Sequence, residues 1–276
     1  MTSNEVRDSK TIKLQIGLEK RLKELSSVVI ALSGGVDSSV LAAIAARSLG
    51  SKALAVTGVS ASLAVSHQRE IIKLCQELGL THLNVQTNEL IQADYCTNTT
   101  ERCYYCKYEL FSLLLKTAHE HGYAYVIDGT TAEDLHGHRP GHKAAQKLGI
   151  ISPLVELGAT KNDVRALARN LGLDVAERPA SPCLSSRIAY GVSITKDRLE
   201  LVGNAEEFLH KLGFNEVRVR LHRDAIARIE VPLAQLTTIL PHVSNIVSEF
   251  KKLGFVYVTL DLAGLRSGSL LEIINA

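Results

Sequence analysis

Ser33-Gly34-Gly35-Val36-Asp37-Ser38-Ser39 is the stretch that constrains this chain most. Before it lies Val28-Val29-Ile30-Ala31-Leu32, an apolar and largely β-branched run that reads as a buried parallel strand. After it comes Val40–Ala46, rich in Ala and Leu, a helix former. Strand, glycine turn and helix start together make an anion site. Glycines let backbone N–H groups approach an oxyanion with no Cβ in the way, and the helix N-terminus adds partial positive charge. Ser33 and Ser38 can donate hydroxyls to the same oxygens. Asp37 sits badly beside an anion unless it carries Mg²⁺ or orients the loop amides. No Lys follows the second glycine and the spacing is short, so the stretch is not a Walker loop, nor is it G-x-G-x-x-G.

The 276 residues are 46% hydrophobic, enough for a core and for more than one domain. A net charge of +2, no Trp and 5% aromatics disfavour a dedicated nucleic-acid binder, which would carry a basic face and stacking residues. No apolar run reaches membrane-spanning length, and MTSNEVRDSK has no signal-like apolar core, so a cytoplasmic protein with no membrane partner is expected. In that compartment five cysteines argue against a disulfide framework.

Leu and Ile at helical spacing predict a helix over residues 11–25. Strands are expected at 53–57, 82–87 and 123–128, with helices at 64–79 and 108–121. The alternation β-α-β-α-β-α-β predicts a parallel sheet covered on both faces, with a ligand at the carboxyl ends of the strands. The Ser33 loop and Asp128-Gly129-Thr130 both lie at such ends; the latter reads equally well as a common turn. Helices follow at 140–147 and at 160–171, the second capped by Thr160 with Asp163. Cys75 sits with Ile71, Ile72 and Leu78 and reads as core. Residues 175–192 show neither period, but their prolines, serines, Cys183 and Arg187 mark an ordered functional loop. Composition shifts near 192. We therefore expect a domain over 1–192 and a smaller α+β domain with an antiparallel sheet over 193–276. There Arg218 and Arg220 alternate onto one face of a strand.

Cys103-Tyr104-Tyr105-Cys106 places two thiols one helical turn apart near a helix start. Arg102, Lys107 and the helix terminus favour their thiolates. Cys183 is a third candidate. Three thiols suit a zinc site completed by His136, His138 or His142, or a 4Fe-4S cluster with one iron left open; a structural or redox C-x-x-C is the plain alternative.

The Ser33–Ser38 motif resembles the SGGxDS loop of ATP pyrophosphatases, the adenine nucleotide alpha hydrolase-like enzymes that split ATP between its α and β phosphates. More of the chain resembles the LarE family of ATP-dependent sulfur transferases: SGGVDSS, ERCYYCK, DGTTAEDLHGHRPG, SPLVELGATKNDVRALARNLGL, RPASPCLSSRIAYG and YVTLDLAGLRSGSL follow in order. The resemblance implies adenylation of a carboxylate of pyridinium-3,5-biscarboxylic acid mononucleotide and its conversion to a thiocarboxylate, a step towards the nickel-pincer nucleotide cofactor. It implies ATP and Mg²⁺ at Ser33, Gly34, Gly35, Asp37, Ser38, Gly129 and Thr130. Cys183 would be the sulfur residue, and Arg187, Arg218 and Arg220 would hold the substrate phosphate. Cys103 and Cys106 point to the branch in which they and Cys183 hold a 4Fe-4S cluster that delivers sulfide. A homo-oligomer, in the family a hexamer, is also implied. HGHRPGH departs from the commoner D-x-R-P-G and reads as solvated loop. The rivals are a tRNA thiolase of the same superfamily, an amide ligase of the NAD-synthetase type, and a zinc-stabilised nucleotide-binding regulatory module without turnover.

Overall fold

The computed structural model describes residues 3–135, 139–178, 182–266 and 268–272. In chain order the elements are α1 (Ser3–Leu25), β1 (Val28–Ala31), α2 (Val36–Leu49), β2 (Ala53–Val59), α3 (Val65–Leu78), β3 (Thr81–Gln86), α4 (Ala93–Cys96), α5 (Arg102–Glu120), β4 (Tyr125–Ile127), α6 (Pro140–Lys147), α7 (Pro153–Glu156), α8 (Lys161–Asn170), α9 (Lys196–Lys211), β5 (Arg218–His222), β6 (Ile226–Glu230), α10 (Val243–Leu253) and β7 (Tyr257–Leu260). They divide into two compact units, Met1–Ser60 with Val65–Glu89 and Cys103–Ser181, and Ala61–Ala64 with Leu90–Arg102 and Pro182–Ala276. Among the described residues no helix is long and apolar enough to cross a membrane.

The first unit is a parallel sheet in the order β3-β2-β1-β4. The central strands β1 and β2 read as apolar runs because both their faces are covered, whereas the edge strand β3 mixes polar and apolar residues. Val28 and Ile30 of β1, with Ala53 and Ala55 of β2, face a cluster that includes Leu14, Leu18 and Leu22 of α1, Leu41 and Ile44 of α2, Ile71 and Cys75 of α3, and Val164 and Leu167 of α8. Val29, Leu54 and Val56 face the other way, onto Phe111 and Leu114 of α5 and Ala145 of α6. Each fully buried Leu or Ile contributes about 2 kcal/mol of transfer free energy. Burial lifts the Cys75 thiol to about 11, as a core cysteine requires. The order reverses direction at β1: β2 and β3 extend to one side, β4 to the other. The loops that leave β1 and β4 therefore open a crevice between them.

In the second unit β5 and β6 are antiparallel, Arg218↔Glu230 through His222↔Ile226. The sheet is not wholly antiparallel as expected, because β7 pairs parallel to β6. The connection between them carries α10, and a crossover of that length returns the chain in the same direction. Val219, Leu221, Ala227 and Ile229 pack on Val202, Ala205 and Leu209 of α9 and on Ile246 and Phe250 of α10. The opposite face of β5 and β6 carries Arg218, Arg220, Arg228 and Glu230.

Candidate functional site

The glycine loop sits at the mouth of β1 as the sequence demands. Gly34 has φ +73, a conformation that favours glycine, and Gly35 caps α2 in extended geometry. The two serines close the loop on itself. Ser33 N–H donates to Ser38 Oγ at 3.3 Å, the two hydroxyls are 3.1 Å apart, and Ser38 Oγ donates to the Gly35 carbonyl at 3.1 Å. Gly129, after β4, meets this loop from across the switch point. A Cβ there would lie 2.8 Å from Ser38 N and 3.0 Å from Asp37 C, so the two loops touch backbone to backbone. Asp128 is buried and fixes its own turn: Thr130 Oγ1 donates to one carboxylate oxygen at 2.6 Å, and Ser152 Oγ to the other at 2.6 Å.

Sequence reasoning missed Lys161. Its Nζ lies 2.6 Å from Asp37 Oδ2 and 2.5 Å from Asp134 Oδ2, and its N–H donates to Glu133 Oε1 at 3.2 Å. The Thr160–Asp163 capping box that presents it is formed as expected. A signal was available: a lysine at the first residue of a helix opposes the helix dipole, and local misfits of that kind gather at functional sites. The electrostatics are uneven. Burial pushes the Asp37 carboxyl above its ordinary value, and Lys161 offsets this only in part. Burial also acts on Asp134, but bonds from Lys161 and Thr131 outweigh it and hold that carboxyl below its ordinary value. The lysine itself, though partly desolvated, is held above its ordinary value by the two carboxylates. Asp37 Oδ1 is buried with no hydrogen-bond partner among the described residues. An orphaned carboxylate oxygen beside an anion loop would suit a divalent cation.

Of the sequence-predicted residues, Ser33, Gly34, Gly35, Asp37, Ser38, Gly129 and Thr130 thus gather in the first unit. Cys103 and Cys106 also belong to it, in the first turns of α5; Cys103 is exposed and Cys106 half-buried. His142 lies in the first turn of α6 with Nδ1 buried and unpartnered among the described residues. His136 and His138 fall outside the described residues. Among the described residues no three His, Cys, Asp or Glu side chains are gathered to hold a metal ion.

Cys183, Arg187, Arg218 and Arg220 belong to the second unit. Cys183 is exposed, on a loop that is firmly held. Leu184 N–H donates to the Ser62 carbonyl at 2.9 Å, and Ile188 forms a parallel bridge with Leu221 of β5. Asn98 Nδ2 donates to the carbonyls of Ile188, Ala189 and Val192, at 2.8 to 3.3 Å. Arg102 Nη1 donates to Asn98 Oδ1 at 2.6 Å and to the Ser185 carbonyl at 2.9 Å, and Tyr95 Oη lies 2.5 Å from Ser185 Oγ. Arg187 and Arg220 have anionic partners of their own. Arg187 forks onto Glu206 at 2.8 and 3.1 Å, and Arg220 onto Glu230 at 3.0 and 2.8 Å, all four groups buried. Arg218, half-buried on the same face, is pushed below its ordinary value by burial and by the charges of Arg220 and Arg187. Arg187, Arg218 and Arg220 thus lie close enough for their charges to act on one another.

The first unit can hold a polyphosphate and a cation, and the second offers a fixed thiol and a cationic face. Comparison with known proteins finds a family and several relatives. Residues 13–228 match the family described as asparagine synthase. A protein of Lactiplantibacillus plantarum named pyridinium-3,5-bisthiocarboxylic acid mononucleotide synthase is 40% identical over 250 residues, 90% of this chain and 90% of the relative. A Synechocystis protein named only as uncharacterized is 45% identical over 254 residues, 91% of this chain and 94% of the relative. One component of a glutamine-hydrolyzing GMP synthase from Archaeoglobus fulgidus is 26% identical over 206 residues, 70% of this chain and 67% of the relative.

Proposed function

Since the chain belongs to the asparagine synthase family of ATP pyrophosphatases and, within it, to the LarE family, we propose that it is an ATP-dependent sulfurtransferase acting on pyridinium-3,5-biscarboxylic acid mononucleotide. The observation that carries this is the 40% identity, across nine-tenths of both chains, to a protein named for making the bisthiocarboxylic acid mononucleotide.

A carboxylate resists sulfur because its oxygen leaves poorly. A substrate carboxylate oxygen attacks the α phosphorus of ATP, pyrophosphate departs, and the acyl adenylate carries AMP as a leaving group. Sulfur then attacks the acyl carbon and AMP departs with the former carboxylate oxygen. The amides of the Gly34–Ser38 loop and the α2 N-terminus hold the departing phosphates. Lys161 adds a cation that can turn from Asp37 and Asp134 onto phosphate. Mg²⁺, held by Asp37, would neutralise phosphate charge there. Arg218, half-buried beside the ion-paired Arg187 and Arg220, takes the substrate phosphate. Cys183, exposed on its anchored loop, is the sulfur-bearing residue.

For the cluster, Cys103 and Cys106 supply two accessible thiols, but the described residues gather no third donor with them. The transfer is therefore written on Cys183: its thiolate joins the acyl carbon as AMP departs, and loss of its Cα proton then breaks the Cβ–Sγ bond, leaving the thiocarboxylate on the substrate and dehydroalanine at position 183. The cluster stays part of the proposal, with Cys183 as its third ligand and sulfide as its sulfur. So do a cytoplasmic setting, which a chain with no disulfide among the described residues suits, and a homo-oligomer, which exposed Leu240, Val243, Val247 and Tyr257 suit. The residue ranges 1–192 for ATP and 193–276 for substrate belong to the same reading.

Protein incubated with ATP, sulfide and the biscarboxylate mononucleotide should yield, by mass spectrometry, product with sulfur in place of oxygen, together with AMP and pyrophosphate. ATP cleavage without sulfur in the product would sink the transferase reading. Anaerobic protein should hold about four irons per chain and lose them in Cys103→Ala; iron-free protein with full activity removes the cluster.

A further inference from the structure

His67 lies on α3, outside the crevice, yet touches the anion loop at its first peptide. Its Nε2 is 2.6 Å from the Ser33 carbonyl oxygen. A carbonyl only accepts, so this nitrogen carries the proton. The Ser33–Gly34 peptide is trans, which sends the Gly34 N–H to the side opposite that carbonyl. Holding the carbonyl on α3 therefore turns the Gly34 N–H away from α3. The fit leaves no slack: a Cβ on Gly34 would lie 2.6 Å from Ile71 Cγ1 and 3.0 Å from His67 Nε2.

Charged side chains adjoin the ring. Its Nδ1 is 3.6 Å from Glu70 Oε2, and the same oxygen is 2.9 Å from Arg178 Nη1. Arg178 is held in turn, its carbonyl accepting from Arg165 Nη2 at 3.0 Å. The His67 side chain is only 16% exposed.

We propose that His67 is a positioning residue for the ATP phosphates, keeping the Ser33–Gly34 peptide in the orientation that offers an N–H to anion. This rests on the reading that the loop takes ATP. A flip of that peptide would replace the N–H with a carbonyl, turning an attractive dipole into a repulsive one. The ground state of the loop is therefore set from α3, by a group that never touches the nucleotide.

The test is direct ATP binding by titration calorimetry, with thermal melting as the control. His67→Phe and His67→Asn remove the donor or shorten its reach; His67→Gln keeps an N–H at comparable reach. Phe and Asn variants should weaken ATP about tenfold and the Gln variant less than about threefold, with melting temperatures matching the parent. If Phe and Asn variants bind ATP like the parent, or if Gln is as weak as Phe, the proposal is overturned. A parent protein that binds no ATP overturns the nucleotide reading instead, and this one with it.

Discussion

The two units treat buried charge in opposite ways. In the second, Arg187–Glu206 and Arg220–Glu230 are closed sets of donors and acceptors. Val219 N–H donates to Glu206 Oε1 at 2.9 Å, and Ser269 Oγ to Glu230 Oε1 at 2.5 Å. In the first, Lys161 is shared between Asp37 and Asp134, and one oxygen of Asp37 has no partner among the described residues. A satisfied cluster rigidifies; a half-satisfied one is costly unless a ligand completes it. The difference separates scaffold from site without reference to any relative.

Arg220→Met should break the comparison hardest. It leaves Glu230, fully buried, without its fork, and removing one member of a buried pair costs about 3–5 kcal/mol. Urea denaturation should read that loss. A stability change near zero would mean that the second unit's charges are no more structural than the first's.

Asp37→Asn should do the reverse. Adenylation should fall on the order of a hundredfold, since the group that faces the cation and phosphates is gone. Stability should not fall. Burial raises the folded carboxyl above its unfolded value, so the folded state holds this proton to higher pH than the unfolded chain does. Ionisation therefore costs stability as pH rises through the raised value, and the cost is complete above it. Melting of Asp37→Asn relative to the parent should be highest near neutral pH, and the gap should close as pH falls below the unfolded carboxylate range. Asp134 runs the other way: its depressed carboxyl contributes stability that is full above the unfolded value and lost as pH falls through the folded one. A variant that melts lower at neutral pH would place Asp37 among the structural charges.

What was legible in the sequence follows the same division. The anion loop could be read because its determinants are contiguous: two glycines, two serines, an apolar strand before and an Ala-rich helix after. The parallel order could be read because strand and helix periods alternate at crossover spacing. Lys161 was harder to read, because a misfit at a helix start names no partner: Asp37 is 124 residues away, and only the fold brings α2 and α8 together. Asn98 was lost for a related reason. TNTTERCYYCK reads as a polar loop, yet Asn98 is fully buried at φ +55 and ties down the segment that carries Cys183. Polarity in sequence marks a hydrogen-bonding group; it does not say whether water or a remote carbonyl satisfies it. The direction of β7 was misjudged because strand pattern fixes which face is apolar, not which way the neighbour runs.

Thr160→Ala carries the smallest expected effect and the sharpest one. The Thr160 side chain and Asp163 exchange bonds with each other's backbone N–H at the start of α8, and Lys10 pairs with Asp163 from α1. Losing such a cap costs about 1 kcal/mol, to be read as a shift in the urea midpoint. Lys161 would remain, still drawn to Asp37 and Asp134, so the KM for ATP should rise less than about threefold if two carboxylates suffice to place it. A larger rise would mean that the capped backbone sets the lysine's position. The first unit's polar cluster would then depend on its scaffold as closely as the second unit's arginines do, and the line between the two kinds of charge would have to be drawn inside the crevice.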